Sequence, residues 1–263
     1  MSDGGHPLKI EGKSAVVTGG ANGIGLALAR RFRAEGARGI ALADLQEDAL
    51  LEATGEIDAL AVPCDVRDEA DIERLVAAAE DAFGPIDVFV SNAGIARMGG
   101  VDAQDEEWRQ NWDIHVMAHV YAARAVAPRM AARGFGYLVN TASAAGLLSH
   151  VESATYTVTK HAAVAFAEWL SIVYGDRGVR VSVLCPQAVR TAMLTGSEEG
   201  VASLDGVLEP EQVADSVIAA MEREEFLILP HPAVRDYVER KASDPERWLR
   251  GMRKLRAAHG GDP

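Results

Sequence analysis

Seven short apolar runs, over residues 14–17, 39–43, 60–63, 88–90, 137–141, 179–184 and 226–229, are separated by stretches with helical periodicity. Such strict alternation leaves few folds open. Each helix must return the chain to the same edge of one sheet, and right-handed crossovers of that kind give an α/β fold. The expectation is a doubly wound, parallel, seven-stranded sheet with helices on both faces. With 263 residues and 48% hydrophobic side chains, the chain can bury one large core. No shift in composition marks a second domain. The expected division is a flexible tail over 1–8, a body over 9–233 and a helical extension over 234–263.

The first strand-to-helix turn carries chemistry. Directly after the run over 14–17, the chain reads T-G-G-A-N-G-I-G from Thr18 to Gly25. Glycines let the backbone turn tightly and approach a pyrophosphate, and the helix expected over 24–35 offers its positive end. Gly19, Asn22, Gly23, Ile24 and Gly25 thus form a candidate dinucleotide cradle, and the sheet becomes a Rossmann-type one. Asp44 closes the second run nineteen residues beyond Gly25, where a carboxylate can accept hydrogen bonds from both hydroxyls of an adenosine ribose. A 2′-phosphate there would meet a like charge, a repulsion of roughly 4 kcal/mol at about 4 Å and an effective dielectric near 20. Ala21, Asn22, Leu45 and Gln46 offer no compensating cation, so NAD is expected over NADP. Asp44 is also placed to cap a helix over 46–53, and Asp65 to cap one beginning near Asp68.

A second constellation lies later in the chain. Tyr156 and Lys160 are four residues apart in a segment with Ala162, Val164, Phe166, Leu170 and Val173 at broadly helical spacing, so a phenol and an ammonium share one helix face. Ser143 follows the run over 137–141 and falls at the carboxyl edge of the sheet, where ligands bind in open α/β folds. Asn92-Ala93-Gly94 follows the fourth run in the same way.

Taken in this order, the glycine turn, N-A-G, Ser143 and Y-x-x-x-K resemble the short-chain dehydrogenase/reductase family over about 9–233. The resemblance implies a strand order of 3-2-1-4-5-6-7 and hydride transfer between a nicotinamide and a carbonyl or alcohol carbon. It makes Tyr156 the acid/base, Lys160 the group that holds the ribose and lowers the phenol pKa, and Ser143 a donor to the substrate oxygen. Moving a phenol from about 10 to about 7 takes roughly 4 kcal/mol of preference for phenolate. It further implies that Asp65 with Val66 meets the adenine, and that Asn92, Ala93 and Gly94 lie beside the cofactor. Pro186-Gln187-Ala-Val-Arg-Thr191 matches the family's P-G-x-x-x-T except at Gln187. There Pro186, the Val189 backbone and Thr191 would hold the nicotinamide end. His115 stands where the family carries a fourth catalytic residue, an Asn whose backbone carbonyl holds a relay water. A His keeps that carbonyl and titrates near neutral pH, while a helix His with no catalytic duty is an equal alternative. The helices over 102–133 and 153–174 correspond to a tetramer's main interface in the family, so a homotetramer is expected, with a dimer second.

The net charge of −13 and pI near 5.0 argue against nucleic acid or an anionic membrane as partner. Cys64 and Cys185 both adjoin apolar runs and read as buried free thiols. With no eighteen-residue apolar run and no signal-like start, a cytoplasmic setting is expected, and no metal site is anticipated. The stretch over 192–209, with Gly196, Gly200 and Gly206, reads as a mobile lid. The pocket is expected from 95–98, 145–148 with His150, Gln187, Met193 and Leu194. Most of these are apolar, which points to a mainly apolar secondary alcohol rather than a sugar or phosphorylated metabolite. The basic helix near the C-terminus reads as a solvated surface packed on the body or on a neighbouring subunit. A non-catalytic dinucleotide-binding regulator on the same fold is the alternative function, and the intact Ser143, Tyr156 and Lys160 speak against it.

Overall fold

The computed structural model describes residues 8–194 and 200–259. The tail over 1–7 and the part of the expected lid that holds Gly196 lie outside the described residues.

Seven strands form one parallel sheet in the order β3-β2-β1-β4-β5-β6-β7: β1 (Ser14–Thr18), β2 (Gly39–Asp44), β3 (Leu60–Pro63), β4 (Val88–Ser91), β5 (Gly136–Thr141), β6 (Val179–Leu184) and β7 (Leu227–Ile228). The central strands β1, β4 and β5 are buried at every position. Parallel strands covered on both faces read as continuous apolar runs, which is why their sequences show no alternation. The order reverses between β1 and β4, and this switch point opens the crevice in which open α/β sheets bind ligands.

Two apolar layers flank the sheet. On one face, Leu28 and Phe32 of α1 (Gly23–Ala34) share a core with Leu50 of α2 (Glu47–Ile57) and with Val213 and Val217 of α8 (Pro210–Glu222). On the other, Ile72 and Leu75 of α3 (Glu69–Phe83), Val126 of α5 (Ala118–Arg133) and Ala163 and Ala167 of α7 (Ala154–Tyr174) pack together. The long helix expected over 102–133 is α4 (Asp105–Trp112), a π-helical segment (Asp113–Met117) and α5 in succession. Such bulges cost helix geometry and recur at functional sites. A third cluster joins Ala144 and Leu148, at the short helix α6 (Ala145–Leu148), to Val234, Tyr237, Val238 and Trp248 of α9 (Ala233–Ser243) and α10 (Pro245–His259).

Several expectations need correction. Leu8, counted with the tail, is buried in the first core. Neither Asp44 nor Asp65 caps a helix: Gln46 occupies the cap position of α2, and Asp68 caps α3 by accepting from Ala70 N. β7 is shorter than the run over 226–229, pairing only at Leu227 and Ile228.

Candidate functional site

The carboxyl ends of β1, β4, β5 and β6 open into one cleft of about 1390 Å³. That exceeds the roughly 300–1,000 Å³ of a typical single-ligand pocket, leaving room for a dinucleotide and a second molecule.

One end is the glycine turn. A Cβ on Gly25 would stand 2.1 Å from the Gly19 carbonyl oxygen, and one on Gly19, at φ +63°, 2.9 Å from Ala93 Cα. Only glycine permits this close approach of turn and helix. Asn92 fixes the turn against its neighbours: its Nδ2 donates to Thr18 O at 3.1 Å, and its Oδ1 accepts from the Thr141 hydroxyl at 3.1 Å. Gly19, Asn22, Gly23, Ile24, Asp44, Asp65, Val66, Asn92, Ala93 and Gly94 all line the cleft, as do Pro186, Val189 and Thr191. Gly25 lies just beneath, fully used in packing. Asp44 is oriented from both sides, Oδ2 accepting from Ala21 N and Oδ1 from Gln46 N, each at 3.1 Å. Asp65 is held by Arg67 at 2.6 Å, and that guanidinium lowers its pKa.

At the other end Ser153 caps α7 by accepting from Tyr156 N at 3.1 Å, which places Tyr156 in the first helical turn. Lys160, 4% exposed, donates to Thr141 O at 3.1 Å and lies 5.6 Å from the Tyr156 ring centroid. Burial lowers its pKa to about 8. The Ser143 hydroxyl accepts from Ala145 N at 3.1 Å. These three side chains therefore meet on the cleft floor.

Burial raises the Tyr156 pKa and the Ser143 hydroxyl pulls it partly back, while Lys160 does not lower it in the protein alone. One ammonium proton of Lys160 is used on the Thr141 carbonyl.

His115 lies in the interior beside these groups. Its imidazole is 0% exposed, with Nδ1 3.0 Å from Thr159 Oγ1 and Nε2 3.2 Å from Ile95 N. Nε2 also lies 3.0 Å from Ile95 O, so the ring is held between the Thr159 hydroxyl and the Ile95 backbone. Burial and the Lys160 charge hold its pKa well below the usual value, so the ring does not titrate near neutral pH. It braces the turn after Gly94 against α7 and meets the Tyr156 ring edge-on at 5.4 Å. His115→Asn is expected to stay within tenfold of the parent rate while losing about 1–3 kcal/mol of stability from the unpaired Thr159 and Ile95 groups. A kinetic loss above about a hundredfold, near 2.7 kcal/mol, would show that the imidazole takes part in the chemistry.

Of the expected pocket, Ile95, Arg97, Met98, Ala145, Leu148, His150, Gln187, Met193 and Leu194 line the cleft. Gly146 and Leu147 do not: a Cβ on Gly146 would stand 2.5 Å from Lys160 O, so that glycine serves α6–α7 packing. What the sequence reading missed is the contribution of α9 and α10, whose Tyr237, Trp248, Met252 and Leu255 also line the cleft. The signal was present as Trp248, Met252 and Leu255 at spacings of four and three within an otherwise basic helix. Among the described residues, no group of three or more His, Cys, Asp or Glu is placed to hold a metal, and no helix is long and apolar enough to cross a membrane.

A family profile described as short chain dehydrogenase matches residues 13–202. The chain belongs to the short-chain dehydrogenases. It is 38% identical over 239 residues to a 1-deoxy-11-beta-hydroxypentalenate dehydrogenase of Streptomyces exfoliatus, covering 87% of this chain and 86% of that one. It is 34% identical over 214 residues to 3beta-hydroxysteroid dehydrogenase 2 of Eggerthella lenta, covering 77% and 82%. Among solved structures, a short-chain dehydrogenase/reductase from Burkholderia phymatum in complex with NAD superposes with a TM-score of 0.85 at 29% identity, covering 91% of this chain and 96% of that one. This short-chain dehydrogenase is thus an oxidoreductase whose relatives are named for hydroxy compounds, and its fold is one that holds a nicotinamide dinucleotide.

Proposed function

We propose that this protein oxidises a mainly apolar secondary alcohol to the ketone, with NAD as preferred cofactor. The observation that carries the reading is the convergence of Tyr156, Ser143 and Lys160 on the floor of a cleft whose far end is the glycine cradle. The glycines leave the space a pyrophosphate backbone needs, and the cleft has the volume for both molecules. A nicotinamide dinucleotide bound there supplies the hydride acceptor. The Ser143 hydroxyl orients the substrate oxygen, Tyr156 takes its proton in the phenolate form, which the positive charge of a bound oxidised dinucleotide would favour against burial, and Lys160 keeps two ammonium protons free of Thr141 for a ribose. The cofactor roles assigned to Asp65, Val66, Pro186, Val189 and Thr191 rest on their places along the same wall. A dehydrogenase screen with both dinucleotides over aliphatic, aryl and alicyclic secondary alcohols, polyols and hydroxy acids tests the proposal. Clearly higher kcat/KM for polyols or hydroxy acids would overturn the substrate class.

Cofactor choice is assigned to Asp44, whose carboxylate is oriented at the cleft by two backbone N–H groups and forms no ion pair among the described residues. NAD is expected to be preferred by at least tenfold in kcat/KM, about 1.4 kcal/mol, and Asp44→Ala to narrow the gap. Equal use of NADP by the parent enzyme would refute the ribose argument.

A homotetramer fits the outer face of α7, where Trp169 and Ile172 are 51% and 78% exposed beside Val158 and Val173. Apolar surface of this kind on a helix is covered in assemblies. Light scattering that returned a monomer mass at micromolar concentration would refute it. The two buried free thiols, Cys64 and Cys185, suit a reducing compartment such as the cytoplasm.

A further inference from the structure

The helices α9 and α10 lie beyond the residues matched by the family profile, yet they are built into the cleft. One carboxylate ties them there. Asp205 Oδ2 accepts from Gln187 Nε2 at 2.9 Å, and Oδ1 accepts from the Tyr237 hydroxyl at 3.0 Å. Gln187 belongs to the loop after β6 and Tyr237 to α9, so a single side chain joins three segments. Each junction is braced again. Gln187 N donates to His231 Nδ1 at 3.2 Å, on a ring only 2% exposed between Pro230 and Pro232. Ala188 N donates to Ala202 O and Leu208 N to Ala188 O, both at 3.1 Å. On the other side Lys241 Nζ donates to Leu147 O, and Val234 packs on Ala144 and Leu148, which pins α9 to the helix just after Ser143.

From this anchorage α10 presents Trp248, Met252 and Leu255 to the cleft on one helical face, with Arg240 and Arg247 at its rim. A substrate gains from that wall only if it reaches it while its carbinol carbon sits at Ser143 and Tyr156. An aromatic and a flexible Met then reward apolar bulk over a defined short shape.

We propose that the Gln187–Asp205–Tyr237 clasp fixes the C-terminal helices as the outer wall of the substrate site, and that this wall selects bulky apolar alcohols over short ones. The proposal rests on the dehydrogenase reading and names its substrate class. Gln187, Asp205 and Tyr237 are positioning residues, acting through the wall they hold.

Steady-state kinetics of the full chain with decahydro-2-naphthol and 2-butanol, at saturating dinucleotide, provide the test. The parent enzyme is expected to favour the ring alcohol at least a hundredfold in kcat/KM. Tyr237→Phe, which removes only the hydroxyl, is expected to raise KM for the ring alcohol about tenfold with little change in kcat, and to move KM for 2-butanol far less. Trp248→Ala should show the same split more strongly. If KM for both alcohols moves together, or kcat falls instead, the specificity role is overturned. Hydrogen–deuterium exchange supplies a readout independent of turnover. Tyr237→Phe and Asp205→Asn are expected to speed exchange across 200–206 at least tenfold, and unchanged rates there would overturn the clasp. A parent enzyme that turns over no alcohol with either dinucleotide refutes the dehydrogenase reading and the specificity with it, while the exchange rates still decide the clasp.

Discussion

Tyr156→Phe is expected to lower kcat by about a thousandfold or more while dinucleotide affinity stays within threefold of the parent. General acid/base groups contribute about 10²–10⁴ in rate, and this substitution deletes the group without moving the ring. The ring is held by its position one turn into α7 and by edge contacts with His115 at 5.4 Å and His150 at 6.5 Å, none of which uses the hydroxyl. Stopped-flow or steady-state turnover, paired with a fluorescence titration of NADH, checks both halves. A Phe variant within tenfold of the parent rate would remove Tyr156 from the mechanism. Loss of dinucleotide binding in parallel with rate would give it a binding role instead.

How far the sequence foretold this site depends on which physical signal each part carries. The strands over 60–63 and 179–184 have the bounds read from the sequence, since each is a short β-rich run set off by turn residues or helical periodicity on either side. The glycine turn was equally legible, since the clash of a Cβ on Gly25 with Gly19 O is a local constraint that only one residue type satisfies. Non-local partners leave no such trace. That His115 meets Thr159 beside the turn after Gly94 goes with a π segment at Asp113–Met117, and nothing in D-I-H-V-M marks a change of helical register. The clasp joins residues 18 and 32 positions apart in sequence, and the bond from Lys241 to Leu147 spans 94. Each is set by how the extension docks. The ionisation of Tyr156 is not legible in the same way: spacing brings the ammonium near the phenol, but burial, which spacing does not report, acts on both charges.

That last point makes Lys160→Met an expected gain of stability with a loss of function. In the folded protein burial depresses the Lys160 pKa from 10.5 to about 8, with one protein acceptor, Thr141 O, at 3.1 Å. The unfolded chain therefore binds more protons than the folded one between about pH 8 and 10.5, and stability from this group rises with pH across that window. Below pH 8 both states carry the charge, and the folded state bears the full cost of burying it, about 3 kcal/mol at about 1.4 kcal/mol per pH unit. A methionine fills nearly the same volume with no charge to desolvate, and the lost hydrogen bond to Thr141 takes back about 1 kcal/mol. The net expectation at pH 7 is a gain near 2 kcal/mol, or roughly 4–8 °C in Tm for a chain of this size. Turnover should fall by at least a hundredfold and dinucleotide affinity should weaken as well, because Lys160 lines the cleft and the proposed reading gives its remaining ammonium protons to a ribose. Scanning calorimetry at pH 7 and pH 10 separates the causes, since the advantage of the variant should shrink as the parent lysine loses its proton. A Tm that falls on substitution, or a gain that does not depend on pH, would show that Lys160 is held by favourable partners and that the enzyme gives up no stability to keep a charge at this position.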